Sequence, residues 1–254
     1  MRERKLKLAA NAIRKDLIKA LAKKESGHTA DSLSAVDILT ALYFEVLKHN
    51  PRYPKWQNRD RVFTSNKHLL ALHTTLAHSG YFAKKTLDKE IGIEAKEAGL
   101  STAIGCALAA KMDNESHRTY CILSDEDHNQ GHTWEAILFA AKHKLNNLTA
   151  IIDRNNTQPE GYTEEILPLE PLRAKYEAFN WHVIEIDGHN IKHIIEALNE
   201  AKTIQKPTAI IAQTIPGKGV SFIENKHEWH TKTPTEEQAQ IALEELEHER
   251  STIE

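Results

Sequence analysis

From Tyr120 onward the apolar positions fall into short, bounded runs separated by longer periodic stretches. Tyr120 to Leu123, Thr149 to Ile152, His182 to Ile186 and Thr208 to Ile211 are rich in Ile, Val and Thr. Short runs of this composition are the mark of strands covered on both faces. Between them, Thr133 to His143, Leu172 to Phe179 and Ile191 to Thr203 carry the spacing of an amphipathic helix. Strand and helix alternating in this way predict βαβ units, hence an α/β fold: a doubly wound parallel sheet with helices on both faces. The earlier part, Lys5 to Gly80, reads mainly as helices with loops, and the Glu-rich tail from Pro234 onward as an exposed helix or frayed terminus. No internal repeat, low-complexity tract or Gly/Ser linker divides the chain, so residues 1–254 are expected to form a single domain.

Composition narrows this picture by exclusion. The apolar share of 40% and charged share of 27% are those of an ordinary globular domain. A net charge of −3 with both signs interspersed gives no electrostatic case for nucleic acid or an anionic membrane. No apolar run approaches the roughly 20 residues of a membrane-spanning helix. Met1 to Asp16 mixes basic residues with Leu, Ala and Ile, but lacks a continuous apolar segment and a small-residue cleavage site. It is read as an amphipathic first helix rather than a targeting peptide. Cys106 and Cys121 each sit in an apolar stretch without CxxC or zinc spacing, which predicts reduced core thiols and a cytoplasmic protein.

In an open parallel sheet the ligand crevice lies beyond the carboxyl ends of the strands. That rule selects Ser124 to Gly131, Asp153 to Gly161 and Thr214 to His230, each polar and each following a predicted strand. No GxGxxG follows a strand, which disfavours a nicotinamide-dependent oxidoreductase. Asp125 and Asn155 stand 30 residues apart, one strand–helix–strand step. Adjacent strand ends can aim such a carboxylate and carboxamide at one hard cation, with diphosphate oxygens completing its shell. By themselves the two residues serve equally well as turn formers or helix caps. The chain has 15 histidines, and most, such as His49, His117 and His143, are read as surface or hydrogen-bonded core residues.

Longer stretches add specificity. Gly27-His28, Ser32-Leu33-Ser34-Ala35, Arg59-Asp60-Arg61, Ser65 with His68, and Gly92-Ile93-Glu94 occur in that order. They are followed by Trp134-Glu135-Ala136, Asp153-Arg154-Asn155, Leu167-Pro168-Leu169-Glu170-Pro171-Leu172, Gly217-Lys218-Gly219-Val220-Ser221-Phe222 and Trp229-His230. In this order and at these distances, nearly the whole chain resembles the N-terminal, diphosphate-binding half of transketolase, particularly the version encoded as a separate subunit. The resemblance implies thiamine diphosphate and Mg²⁺ or Ca²⁺ as cofactors. Asp125, Asn155 and the Thr157 carbonyl would ligate the metal, and Glu126 follows in the same motif. His68 and His230 would approach the diphosphate and the reacting centre, and His28 the sugar substrate. It further implies two-carbon ketol transfer between phosphosugars of the pentose phosphate type, a homodimer, and a separate pyrimidine-binding C-terminal subunit.

The chain departs from the family at several of these positions. Gly-Asp-Gly at the metal is here Ser124-Asp125-Glu126. Glycine pairs or single glycines have become Ala30-Asp31, Lys67 and Thr231, and a glutamate has become Gln130. Only Ala95 to Ala98 stand where a longer Gly-rich segment is expected, and Tyr81 to Ile91 is also short. An inward Glu126 carboxylate about 4 Å from Asp125 would repel it by roughly 1–4 kcal/mol, depending on effective dielectric. Lys67 and Lys96 could partly balance that charge. Loss of glycine also threatens any backbone turn that needs positive φ. These departures gather on cofactor contacts, so the expectation is weak cofactor binding. The alternative is a non-catalytic protein of transketolase fold acting as a binding or interaction module.

Overall fold

The computed structural model describes residues 2–24, 27–87 and 99–254. Its strands are β1 (Arg61–Thr64), β2 (Thr119–Ser124), β3 (Leu148–Arg154), β4 (Thr157–Gln158), β5 (Gly161–Tyr162), β6 (His182–Asp187) and β7 (Thr208–Gln213). The main sheet has the order β1-β2-β3-β7-β6, and every pair in it is parallel. β4 and β5 form a small antiparallel ribbon directly after β3. Register aligns Ser124 with Asp153 and Asp153 with Ala212, so the carboxyl ends of the three central strands lie level.

Alternation along each strand feeds two cores. Tyr120, Ile122, Ile151, Ile210 and Ala212 join one core, with α1 (Arg2–Leu21), α2 (Thr29–Ser34), α3 (Val36–Ala41) and α4 (Leu69–His78). Cys121, Leu123, Ala150, Ile152 and Ile211 join the other, with α5 (Leu100–Met112) and α6 (Gly131–Lys142). A single turn, α7 (Thr163–Ile166), precedes α8 (Leu172–Ala178), which covers the second core, while α9 (Ile191–Ala201) and α10 (Glu236–Ile253) cover the first. Helices therefore flank both faces of a parallel sheet, as the alternation of runs predicts. Full burial of side chains such as Ile13, Leu17 and Leu21 contributes about 1.5–3 kcal/mol each.

Three expectations change. β1 lies in the part read as helices and loops: it has four residues, sits at the sheet edge and is mostly half-buried, too short to show a period. Asp60 fixes its start by accepting from the backbone N–H groups of Lys48 and Arg118, both at 2.8 Å. The tail is neither frayed nor wholly exposed. α10 begins with a Thr235–Gln238 capping box and lies along α1, burying Ala239, Ala242 and Leu246. Its buried stripe is too narrow to stand out among the glutamates. Cys121 is a buried thiol whose pKa burial raises, whereas Cys106 is only partly buried; both are free. The predicted segment Ala95 to Ala98, with Gly92-Ile93-Glu94 and Lys96, lies outside the described residues.

Gly217 has a structural role. Its φ is +80°, and a Cβ there would meet the Ile223 backbone at 2.8 Å. Its N–H donates to the Ala30 carbonyl at 3.0 Å, which ties the segment after β7 to the first turn of α2.

Candidate functional site

Polar side chains at the carboxyl ends of β1, β2 and β3 and just after β7 gather in one region, and α2 packs against it from the side. Asp125 follows β2 and is buried. Its Oδ2 accepts from Arg154 Nη1 at 2.7 Å, from the Asn156 N–H at 2.9 Å and from the Thr163 hydroxyl at 2.9 Å. Its Oδ1 is buried and, among the described residues, has no donor. Burial pushes the Asp125 carboxyl up to about 6, against the pull of Arg154. Arg154 is itself held by Glu164 at 2.6 Å and Glu170 at 3.0 Å. Three donors thus fix one carboxylate oxygen and leave the other free.

Asn155 begins the turn after β3, and its contacts close a ring. Its Oδ1 accepts from the Thr157 backbone N–H and hydroxyl, both at 3.0 Å. Its Nδ2 donates to Asp31 Oδ1 at 2.9 Å. Asp31 Oδ2 lies 2.7 Å from His230 Nδ1, and His230 Nε2 meets the Thr157 hydroxyl at 2.8 Å. All four side chains are buried. Burial alone would raise the Asp31 pKa, but the His230, His68 and Lys67 charges outweigh it and hold it below the usual carboxylate range.

His68 is fully buried beside this ring. Its Nε2 pairs with Asp153 Oδ2 at 2.9 Å and its Nδ1 with the Ser65 hydroxyl at 3.2 Å. Burial opposes the charged imidazole, yet the Asp153 carboxylate holds its pKa above the ordinary value. Asp153 also accepts from Ser34 at 2.6 Å and from Thr214. Lys67 pairs with Glu126, and burial lowers the Lys67 pKa. His28 is half-buried at the crevice edge, its Nδ1 against the His230 carbonyl at 2.8 Å, with a pKa lowered chiefly by burial. All seven residues selected from the sequence (His28, His68, Asp125, Glu126, Asn155, Thr157 and His230) therefore belong to one region or pair with a member of it.

The concern over backbone strain is corrected. Asp125 has φ −57° and ψ −44°, the residues after it form a 3₁₀ turn, and neither Ser124 nor Glu126 has positive φ. The turn therefore does not require glycine. Ser124 instead contributes its N–H and hydroxyl to Asp127 at 2.6 and 2.9 Å. The donor set suits a hard cation at one point, the free Asp125 Oδ1, since oxygen ligands from carboxylate, amide and carbonyl are what Mg²⁺ and Ca²⁺ prefer. Among the described residues no three His, Cys, Asp or Glu side chains converge as metal ligands. A cation here would lean on Asp125 and would have to share Asn155 Oδ1 with Thr157.

Sequence reading passed over Arg154, Asp153 and Asp31 as functional side chains. The first two were visible as the polar end of a buried strand: alternation sends Asp153 toward α2 and Arg154 toward α7. Asp31 carried no signal beyond the loss of a glycine, because its partners come from residues 124 and 199 positions away.

Comparison with known proteins agrees with this architecture. Residues 5–92 and 89–251 match the family described as transketolase, thiamine diphosphate binding domain. The 6-deoxy-6-sulfo-D-fructose transketolase subunit of Clostridium sp. (strain MSTE9) is 41% identical, covering 94% of this chain and 95% of that protein. An apulose-4-phosphate transketolase subunit from Phocaeicola vulgatus is 36% identical over 95% of this chain and 93% of that one. Transketolase from Campylobacter jejuni superimposes with a TM-score of 0.82 at 29% identity, covering 98% of this chain but 47% of its own. The chain thus spans less than half of that single-chain enzyme and nearly all of the two subunits. With a matching family over almost its whole length and a fold that superimposes on a solved transketolase with a TM-score of 0.82, this chain belongs to the transketolase family as its N-terminal, thiamine diphosphate-binding domain.

Proposed function

We propose that the chain is the diphosphate-binding subunit of a two-chain transketolase. It would hold thiamine diphosphate through Mg²⁺ or Ca²⁺ and act with a separate pyrimidine-binding subunit in ketol transfer between phosphosugars. The observation that carries this reading is the buried Asp125 carboxylate at the end of β2, with one oxygen fixed by three donors and the other free. The two subunits with printed sugar specificities are similar to this chain over nearly their full length, which supports a two-chain assembly. Exposed Met112 on α5 and Leu138 and Phe139 on α6 offer apolar surface for such an assembly.

In this reading Asp125 and Asn155 hold the cation and His230 faces the diphosphate. His68 stays oriented by Asp153 and Ser65. His28, half-buried at the edge of this region, would recognise a sugar hydroxyl. Thiamine diphosphate supplies the carbanion chemistry that breaks and remakes the ketose C2–C3 bond. The chain's own contribution is binding, orientation and proton holding at the histidine nitrogens. Calorimetry of the chain with thiamine diphosphate, with and without Mg²⁺, tests the reading. Metal-dependent binding lost in Asp125→Ala supports it, and absence of binding by both proteins at millimolar ligand would remove it.

One observation favours the second reading, a binding module of the same fold without turnover. Lys67 and Glu126, charged and mutually paired, stand where the family has glycines. The same titration separates the two, since a module without the cofactor shows no metal-dependent heat.

A further inference from the structure

The Asn155–Asp31–His230–Thr157 ring is closed on itself. Asp31 Oδ1 accepts from the Asn155 amide, and its Oδ2 forms an ion-pair contact with His230 Nδ1. Thr157 occupies the remaining polar atoms, Asn155 Oδ1 and His230 Nε2. Two of the side chains assigned to metal and diphosphate, Asn155 and His230, are therefore already in contact with an anion belonging to the protein. Asp31 is fully buried, and α2, which carries it, is anchored by the Ser34 hydroxyl on Asp153 and by the Ala30 carbonyl on Gly217. The carboxylate is held in place by the scaffold rather than by chance contact.

We propose that Asp31 is an internal stand-in for the ligand's anionic oxygens: it competes for His230, and so sets how tightly the crevice takes a diphosphate. The inference rests on the reading of this crevice as a diphosphate site. Its sign follows from either path that binding can take. If Asp31 stays, the incoming anion lies near a second buried negative charge, which is repulsive in a poorly hydrated site. If Asp31 leaves, it surrenders a charge-assisted contact with His230 and a hydrogen bond from Asn155, and must be rehydrated or paired elsewhere. Both paths weaken binding relative to an uncharged residue at position 31. An orienting role for Asp31 on Asn155 would have the opposite sign, and an isosteric amide separates the two. Asp31→Asn keeps an acceptor oxygen for Asn155 Nδ2 while removing the charge.

The experiment is calorimetric titration of the full chain and of Asp31→Asn with Mg²⁺–thiamine diphosphate and, separately, Mg²⁺–pyrophosphate. Each protein is checked by its melting curve. Asp31→Asn is expected to bind both ligands about tenfold tighter or more, the scale of one lost charge-assisted contact. It should also show a larger ligand-induced rise in Tm. If Asp31→Asn does not fold, Asp31→Gly is titrated instead with the same expectation. Histidine ¹⁵N spectra of the unaltered chain give an independent reading, because saturation with Mg²⁺–pyrophosphate should shift the His230 imidazole signals, as the incoming anion either displaces Asp31 from Nδ1 or adds its charge beside it. Binding by the unaltered chain that is equal or tighter than that of the variant, or an unmoved His230 signal at saturation, overturns the proposal while leaving the proposed function standing. Absence of binding by every protein overturns both.

Discussion

At the scale of single residues, the site is governed by which buried charges already have partners. Arg154 bridges Asp125, Glu164 and Glu170 with its side chain 1% exposed. Truncating one member of a buried ion pair strands the other without water, so Arg154→Ala should cost about 3–5 kcal/mol of stability. Urea denaturation measures this, and a loss below about 1 kcal/mol would mean that Asp125 finds another partner. Glu126 has a different role. The turn at Asp125 is free of positive φ, so any gain from restoring glycines must come from removing charge rather than from backbone freedom. Glu126→Gln should then tighten Mg²⁺–thiamine diphosphate binding by releasing Lys67. Ser124→Gly should bring no such gain and should lower stability by about 1 kcal/mol through the lost hydroxyl bond to Asp127. Equal effects of the two changes in calorimetry would contradict this division.

At the scale of elements, two contacts hold the helical layer that carries α2. Arg14 of α1 binds Asp37 of α3 at 2.6 Å, and His189, just before α9, meets the same carboxylate at 2.8 Å. Burial alone would raise the Asp37 pKa, but Arg14 and His189 outweigh it and bring it down to about 2. A carboxyl whose folded pKa lies below its unfolded value, about 3.9, stabilises the fold above that value and loses the contribution as pH falls toward 2. The contribution is on the order of 2 kcal/mol. Asp37→Asn should therefore flatten the stability–pH curve between about pH 4 and 2 in acid titrations followed by circular dichroism. The second contact is α10 on α1. Leu246 is fully buried there, so Leu246→Ala should cost about 2–5 kcal/mol, read by denaturant midpoint. A near-zero cost would restore the frayed-tail reading of that segment.

On the scale of the whole molecule, the chain carries one half of what its single-chain relatives contain: it covers 47% of the Campylobacter jejuni enzyme. Alone it should show no ketol transfer with common phosphosugars, and activity should appear only once a pyrimidine-binding subunit is supplied. Turnover by the purified chain would mean that these 254 residues hold every group ketol transfer needs, and would overturn that division of labour. Sedimentation should show a dimer or larger species through the apolar face of α5 and α6, where Met112 is 73% exposed.

Sequence alone determined the parallel sheet, because the consecutive Thr-Ala-Ile-Ile runs at Thr149 to Ile152 and Thr208 to Ile211 need cover on both faces and can find it only between helix layers. It also placed Asp125 and Asn155 at neighbouring strand ends, since one βαβ step returns the chain beside its starting strand. Edge strand β1 and the docking of helix α10 escaped it, because four residues and three buried positions are too few to make a period. The pairing of charges was decided by tertiary structure alone. Whether Asp31 meets His230, Lys67 meets Glu126 or Arg154 meets Asp125 depends on where distant segments converge. In a buried, low-dielectric crevice, those separations of a few ångströms set both the charge each group carries and what remains free to bind.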